Sequence, residues 1–217
     1  MEPKKRYDQK TDTPVISVEQ MRKSDAYTIE HFVPSKELMY RAAKGVYDSY
    51  KEWKGKRIAI VTGGGNNGGD GYALAGILKE NAIEPNIIKV SEKMSEDGHY
   101  YYDTAVELGV KSEDFTATTD LRKYDVIVDC ILGTGFSGEV RGKAKDAIEA
   151  INKSKAFVIS VDINSGMNGD TGEAALAVKS DLTVSIGFLK TGLVSDAAKE
   201  YIGALVNVDI GIVLAED

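Results

Sequence analysis

From residue 57 onward, apolar residues fall in short unbroken runs, and between the runs they recur every three or four positions. The runs Arg57–Thr62, Asn86–Val90, Val126–Cys130, Phe157–Val161, Leu182–Ile186 and Leu205–Val208 predict strands. The intervening stretches Asp70–Asn81, Ser95–Leu108 and Lys143–Lys153 carry helical spacing. Strands apolar on both faces need cover on both faces, and alternation with helices supplies it around a largely parallel sheet. Two more helices precede this region. Ser17-Val-Glu-Gln20 reads as a capping box, with Met21, Ala26 and Ile29 as a partly apolar face. Ser35 to about Tyr50 follows the Pro34 break and turns Leu38, Met39, Ala42, Ala43 and Val46 inward. Residues 1–13 are charged and without periodicity, so the expectation is a flexible tail followed by a single domain over 14–217.

The junction after the first of these strands changes the picture from fold to function. Gly63-Gly-Gly-Asn-Asn-Gly-Gly-Asp-Gly71 holds six glycines in nine residues between a buried strand and a helix. So many glycines are costly in chain entropy unless the backbone must come close to something. Backbone N–H groups at a helix N-terminus suit an anion. Gly63, Gly65 and Gly68 also satisfy G-x-G-x-x-G, but a lone match is weak. An ordinary dinucleotide unit keeps small apolar residues here. Asn66, Asn67 and Asp70 instead add oxygen ligands, the chemistry of a hard cation beside an anion cradle.

Two later strand ends carry comparable loops: Ile131–Gly142 after Val126-Ile-Val-Asp-Cys130, and Asp162–Asp170 after Phe157-Val-Ile-Ser-Val161. In a parallel sheet, loops at the carboxyl ends of strands converge on one side and form a cleft. Length and charge bound what fills it. A chain of 217 residues suffices for one α/β domain and is short for two. A formal charge of −7 argues against a general nucleic-acid binder, while local backbone donors still accommodate an anionic metabolite. With a single cysteine, Cys130, there is no intrachain disulfide and no cysteine metal site, which fits a reducing cytoplasm. No apolar stretch reaches the ~20 residues of a membrane span.

Gly65-Asn-Asn-Gly-Gly-Asp-Gly71, Asp129-Cys-Ile-Leu-Gly-Thr-Gly-Phe-Ser-Gly138 and Val161-Asp-Ile-Asn-Ser-Gly166, in that order and spacing, resemble the NAD(P)H-hydrate epimerase family, also called the YjeF N-terminal domain. Met21-Arg22 and Leu38-Met39 look similar to motifs in that family's leading helices, and the resemblance runs from Ser17 to Ile212. It implies a Rossmann-like three-layer α/β/α sandwich, commonly a homodimer, that interconverts the R and S forms of hydrated NADH and NADPH. It implies that Asn66, Asn67, Gly68, Gly69 and Asp70 bind the phosphate-bearing portion, and that Gly133, Thr134, Gly135, Phe136, Ser137, Gly138 and Glu139 wrap more of the dinucleotide. It further implies a potassium site at Asn67, Asp129 and Ser165, and Asp162 facing the altered nicotinamide. A separate dehydratase is a possible partner, since the kinase-like domain fused to many relatives does not follow. Two positions depart from the family: Asn164 stands where proline is frequent, and Thr62-Gly63-Gly64 replaces a cysteine-glycine-proline entry.

The chemistry agrees with this. A hydroxyl on the carbon beside the ring nitrogen is a hemiaminal, which loses its configuration by expelling water or by opening to an aldehyde. Either route needs proton transfer to and from oxygen, the work of a carboxyl group. Asp162, at a strand end, is the candidate acid/base; the bland alternative is that it caps its own turn. Asp129 ends an apolar strand and needs compensation, from a cation or from loop N–H groups. Lys190 either reaches the cleft, stabilising a phosphate or the departing hydroxyl, or is a surface lysine; Arg141 either reaches a phosphate or begins a helix. His31 and His99 lie away from the three loops, and Cys130 reads as core. A non-catalytic protein that senses a dinucleotide through the same pocket is the competing function.

Overall fold

The structure, a computed structural model, describes residues 13–216. The expected tail over 1–13, apart from Thr13, lies outside the described residues. Seven strands form one sheet in the order β4-β3-β2-β5-β6-β7-β9, and every neighbouring pair is parallel. They are β2 (Ile58–Thr62), β3 (Pro85–Lys89), β4 (Lys111–Asp114), β5 (Val126–Cys130), β6 (Phe157–Val161), β7 (Ser180–Ile186) and β9 (Ile202–Val208). A second, two-stranded parallel sheet joins β1 (Val15–Ile16) to β8 (Leu189–Lys190).

The strands alternate between two cores. Ile58 and Ile60 pack into one, under helices α2 (Ser35–Ser49), α3 (Asn66–Glu80) and α4 (Glu96–Glu107). Ala59 and Val61 pack into the other, under α5 (Gly142–Asn152) and the segment containing Phe115, Leu121 and Tyr124. The three-layer expectation holds. Among the described residues no helix is long and apolar enough to cross a membrane.

Several elements differ from the sequence reading: β1 and β8 were not expected, β9 starts at Ile202 rather than Leu205, and three further differences have a physical reason. Helix α3 begins at Asn66 rather than Asp70, so the asparagines and glycines form its first turn instead of a loop. The turn is tight because glycine lets backbones touch: a Cβ on Gly63 would sit 1.8 Å from the Ile131 carbonyl oxygen, and one on Gly68 would sit 2.2 Å from that of Gly63. Strand β4 was not anticipated; it lies at the sheet margin, reads Lys-Ser-Glu-Asp, and is largely exposed, so it lacks an apolar run. Helix α1 (Val18–His31) starts on the predicted Ser17 cap but buries Val18, Met21, Ser24 and Thr28, while Ile29 is exposed. Its inner face is polar because its neighbour is an extended backbone. The N–H groups of Val213 and Ala215 donate to Thr28 Oγ1 (2.9 Å) and Ser24 Oγ (3.1 Å).

Candidate active site

The chain order reverses between β2 and β5, and a cleft of about 630 Å³ opens there, at the carboxyl ends of the strands. Gly64 and Gly65 form one wall with the first turn of α3, and Ile131 to Phe136 form another. Asp162 reaches in from the end of β6, and Arg22 and Asp25 of α1 with Leu38 and Met39 of α2 close the far side. Gly65 caps α3 without a side-chain hydrogen bond, so the first-turn amides are left to a ligand or solvent.

Beneath this wall lies a buried oxygen cluster. Asp129 is fully buried, and its carboxylate accepts from Ser160 Oγ (2.8 Å), from the Ser165 N–H (2.9 Å), from the Ser165 hydroxyl and from the Ile131 N–H (3.3 Å). Burial pushes its pKa up while these hydrogen bonds pull it down, with a net rise. Loop donors therefore do compensate Asp129, one of the two alternatives open from sequence. Asn67 donates its Nδ2 to the Leu132 carbonyl oxygen (3.0 Å), which also accepts from Ser165 Oγ (3.2 Å). Asn67 Oδ1 is buried and finds no partner among the described residues. That orphaned amide oxygen, beside a carbonyl, a hydroxyl and one carboxylate, is a donor set suited to a hard monovalent ion. No group of three His, Cys, Asp or Glu that could hold a metal ion occurs among the described residues.

Asp162 adopts a left-handed backbone (φ 66°), unusual for a residue with a side chain. Its N–H donates to the Val184 carbonyl oxygen (2.7 Å), and its carboxylate accepts from the Lys190 ammonium rather than capping its own turn. Lys190 is fully buried, so the surface-lysine alternative is excluded. Its ammonium also donates to the Ile186 carbonyl oxygen (2.9 Å) and Ser185 Oγ (3.3 Å). With three partners supplied by the protein, Lys190 stands behind Asp162 and fixes it instead of lining the cleft. Asn164, the departure from the frequent proline, anchors the same loop. Its Nδ2 donates to the carbonyl oxygens of Val178 and Tyr201, and its Oδ1 accepts from Thr183.

Comparison with known proteins fits this arrangement. Residues 35–192 match the model of the family described as YjeF-related protein N-terminus. The chain belongs to that family. Similar proteins include the NAD(P)H-hydrate epimerase of Oenococcus oeni, 36% identical, which covers 91% of this chain and 96% of its relative. That of Limosilactobacillus reuteri is 34% identical, with 88% and 93% covered. That of Lentilactobacillus buchneri is 33% identical, with 92% and 95% covered. The crystal structure of yeast ynu0 shares the fold, with a TM-score of 0.74 at 22% identity over 89% of this chain and 87% of that one.

Within this YjeF-related domain the expected site residues divide into groups. Asn66, Asn67, Asp70, Gly133, Thr134, Gly135, Phe136 and Asp162 line the cleft together. Gly68 and Gly69 lie under it; a Cβ on Gly69 would meet Met39 Cε at 2.5 Å. Ser137, Gly138 and Glu139 fall outside its lining, and exposed Glu139 pairs with Arg141 (3.1 Å) at the start of α5. His31 lies in the last turn of α1, and exposed His99 lies in α4. The Tyr100–Tyr102 run ties α4 to its neighbours. Tyr101 donates to the Lys36 carbonyl oxygen (2.7 Å), and Tyr102 packs edge-on to Tyr72. Cys130 is buried core.

Sequence reasoning missed Asp25. Its carboxyl lines the cleft, and burial raises its pKa, with the Asp162 charge adding to the rise and Lys190 opposing it. The available signal was its place four residues after Met21, one turn along the same face of α1.

Proposed function

We propose that this chain interconverts the R and S epimers of hydrated NADH and NADPH, repairing nicotinamide nucleotides damaged by addition of water. The relatives named NAD(P)H-hydrate epimerase match nearly end to end, which supports the activity. The observation that carries it to the chemistry is Asp162, held by a buried lysine and directed into the cleft.

In this reading the first-turn amides of α3, with Asn66 and Asn67, hold the phosphates, and Gly133 to Phe136 wrap the rest of the dinucleotide. Asp162 faces the hydrated ring and moves the proton that hydroxyl loss and return require. Lys190 is a positioning residue. Loops pressed together at Gly63 and Ile131 keep the cleft walls fixed.

Asn67, Asp129, Ser165 and the Leu132 carbonyl oxygen would hold a potassium ion; the unpartnered Asn67 Oδ1 supports this assignment. Bound there, the ion would supply positive charge beneath the phosphate-binding turn. Turnover in potassium should exceed that in sodium or a bulky organic cation, and identical rates in all three would remove the ion from the activity. Exposed Tyr27 and Ile29 on α1, with Phe32 just after its end, support a homodimer, which sedimentation would read. The buried lone thiol is consistent with a reducing cytoplasm. A separate dehydratase remains the proposed consumer of one epimer.

The deciding experiment incubates the purified protein with one hydrate epimer and follows the R/S ratio by chromatography. Accelerated approach to equilibrium is the expected result. Saturable binding with an unchanged ratio would instead mark a dinucleotide sensor.

A further inference from the structure

The proposed reaction uses one carboxyl group, yet four line the cleft: Asp25 from α1, Asp70 from α3, Asp97 from α4 and Asp162 after β6. The buried ammonium among them, Lys190, is committed to Asp162. Among the described residues no donor is hydrogen-bonded to the carboxyl of Asp70, which is half-buried on α3 just after its first turn. We propose that Asp70 is the proton donor of the reaction and that Asp162 is the acceptor, the two working on opposite faces of the hydrated ring. This rests on the epimerase reading and changes the expected role of Asp70 from holding phosphate to reacting.

The step balances as follows. The Asp70 O–H proton passes to the ring hydroxyl, the carbon–oxygen bond breaks with its electron pair on the departing water, and the ring nitrogen's lone pair forms a carbon–nitrogen double bond. Water then bonds to the same carbon from the other face, the double-bond pair returns to nitrogen, and the surplus proton passes to Asp162. Solvent in the cleft returns the two carboxyl groups to their starting states. The intermediate is a cation, and a cleft lined by carboxyl groups stabilises it.

The electrostatic surroundings of Asp70 suit a donor. Burial raises its pKa well above the ordinary carboxylate range; the charges of Asp162 and Asp25 push it further, and Lys190 opposes them. Arg22 of α1 and Asp97 of α4 also line the cleft, while α2 contributes Ser35, Leu38, Met39 and Ala42. Arg22 donates to the Thr134 carbonyl oxygen (3.2 Å), and Cys130 lies behind, with its own pKa raised by burial and by Asp129 and Asp70. Two carboxyl groups in one site, one paired with a lysine and one without a hydrogen-bond donor and with its pKa raised by burial, divide into base and acid.

The test is steady-state epimerisation against pH for wild type, Asp70→Asn and Asp25→Asn. Assayed from the epimer whose hydroxyl faces Asp70, the reaction requires the acid form of Asp70, so wild-type activity in that direction is present below its raised pKa and falls as pH rises through it. Asp70→Asn should lower kcat at least ~100-fold, leave KM within ~3-fold, and abolish that high-pH fall. Asp25→Asn removes a negative neighbour and should move the fall to lower pH. A kcat near wild type in Asp70→Asn, or a raised KM with kcat intact, overturns the assignment. Should Asp70→Asn lose its folded circular dichroism spectrum, the Asp25→Asn profile decides: a shift to lower pH supports the donor, and an unmoved profile overturns it. A wild-type protein that leaves the epimers at their spontaneous rate overturns the epimerase reading as well, whereas an active wild type with an active Asp70→Asn overturns only the donor.

Discussion

At the scale of single residues, Asp162 and Asp129 answer to opposite demands. Asp162 is open to the cleft, and in the proposed reaction it carries chemistry as well as the pairing of Lys190. Asp162→Asn should cut turnover at least ~100-fold, read by kinetics, and should also lower the melting temperature in calorimetry, because it leaves the buried Lys190 ammonium without its carboxylate partner. Asp129 is sealed among donors, so its loss is structural. An amide in its place turns an N–H toward groups that themselves donate, and Asp129→Asn should cost about 3 kcal/mol in chemical denaturation. Position in the sequence did not separate these two, since both end apolar strands; the family resemblance did. Sequence left Lys190 undecided because burial is a property of the neighbours: Ser185, Ile186 and Asp162 supply its partners, and none announces the contact in the chain.

At the scale of elements, helix α3 shows how one residue type serves two ends. Gly68 sits against the Gly63 carbonyl oxygen, whereas a Cβ on Gly76 would find only Leu108 Cδ1 at 3.8 Å within 4 Å. Gly68→Ala should therefore lower the melting temperature and weaken dinucleotide binding by shifting the first turn. Gly76→Ala should stabilise the fold by about 0.5–1 kcal/mol with binding unchanged. The central strands were legible because parallel strands covered on both faces are unbroken apolar runs; β5 and β6 fall within the predicted bounds. The start of α3 was not, because Asn-Asn-Gly-Gly reads as a loop until the backbone of the neighbouring strand is packed against it. The inward face of α1 was missed for a related reason. Ser24 and Thr28 look exposed until the Val213 and Ala215 amides are placed beside them.

At the scale of the whole molecule, that last contact links the cleft to the far end of the chain. Helix α1 carries Arg22 and Asp25 into the cleft, and residues 213–215 clasp its other face. Gln20 Nε2 adds a third tie, to the Ala215 carbonyl oxygen (2.5 Å). Thr28→Val keeps the shape and removes the acceptor, so it should cost about 1–2 kcal/mol and raise KM with kcat largely kept. The sheet's outer margin has a consequence of its own. Strand β4 presents Lys111, Glu113 and Asp114 where a second copy would have to continue the ladder. Charged side chains on such a border must give up hydration for edge-to-edge stacking, which disfavours it. The protein thus carries a built-in guard against fibre growth, and replacing those three side chains with valine would turn the border into a template.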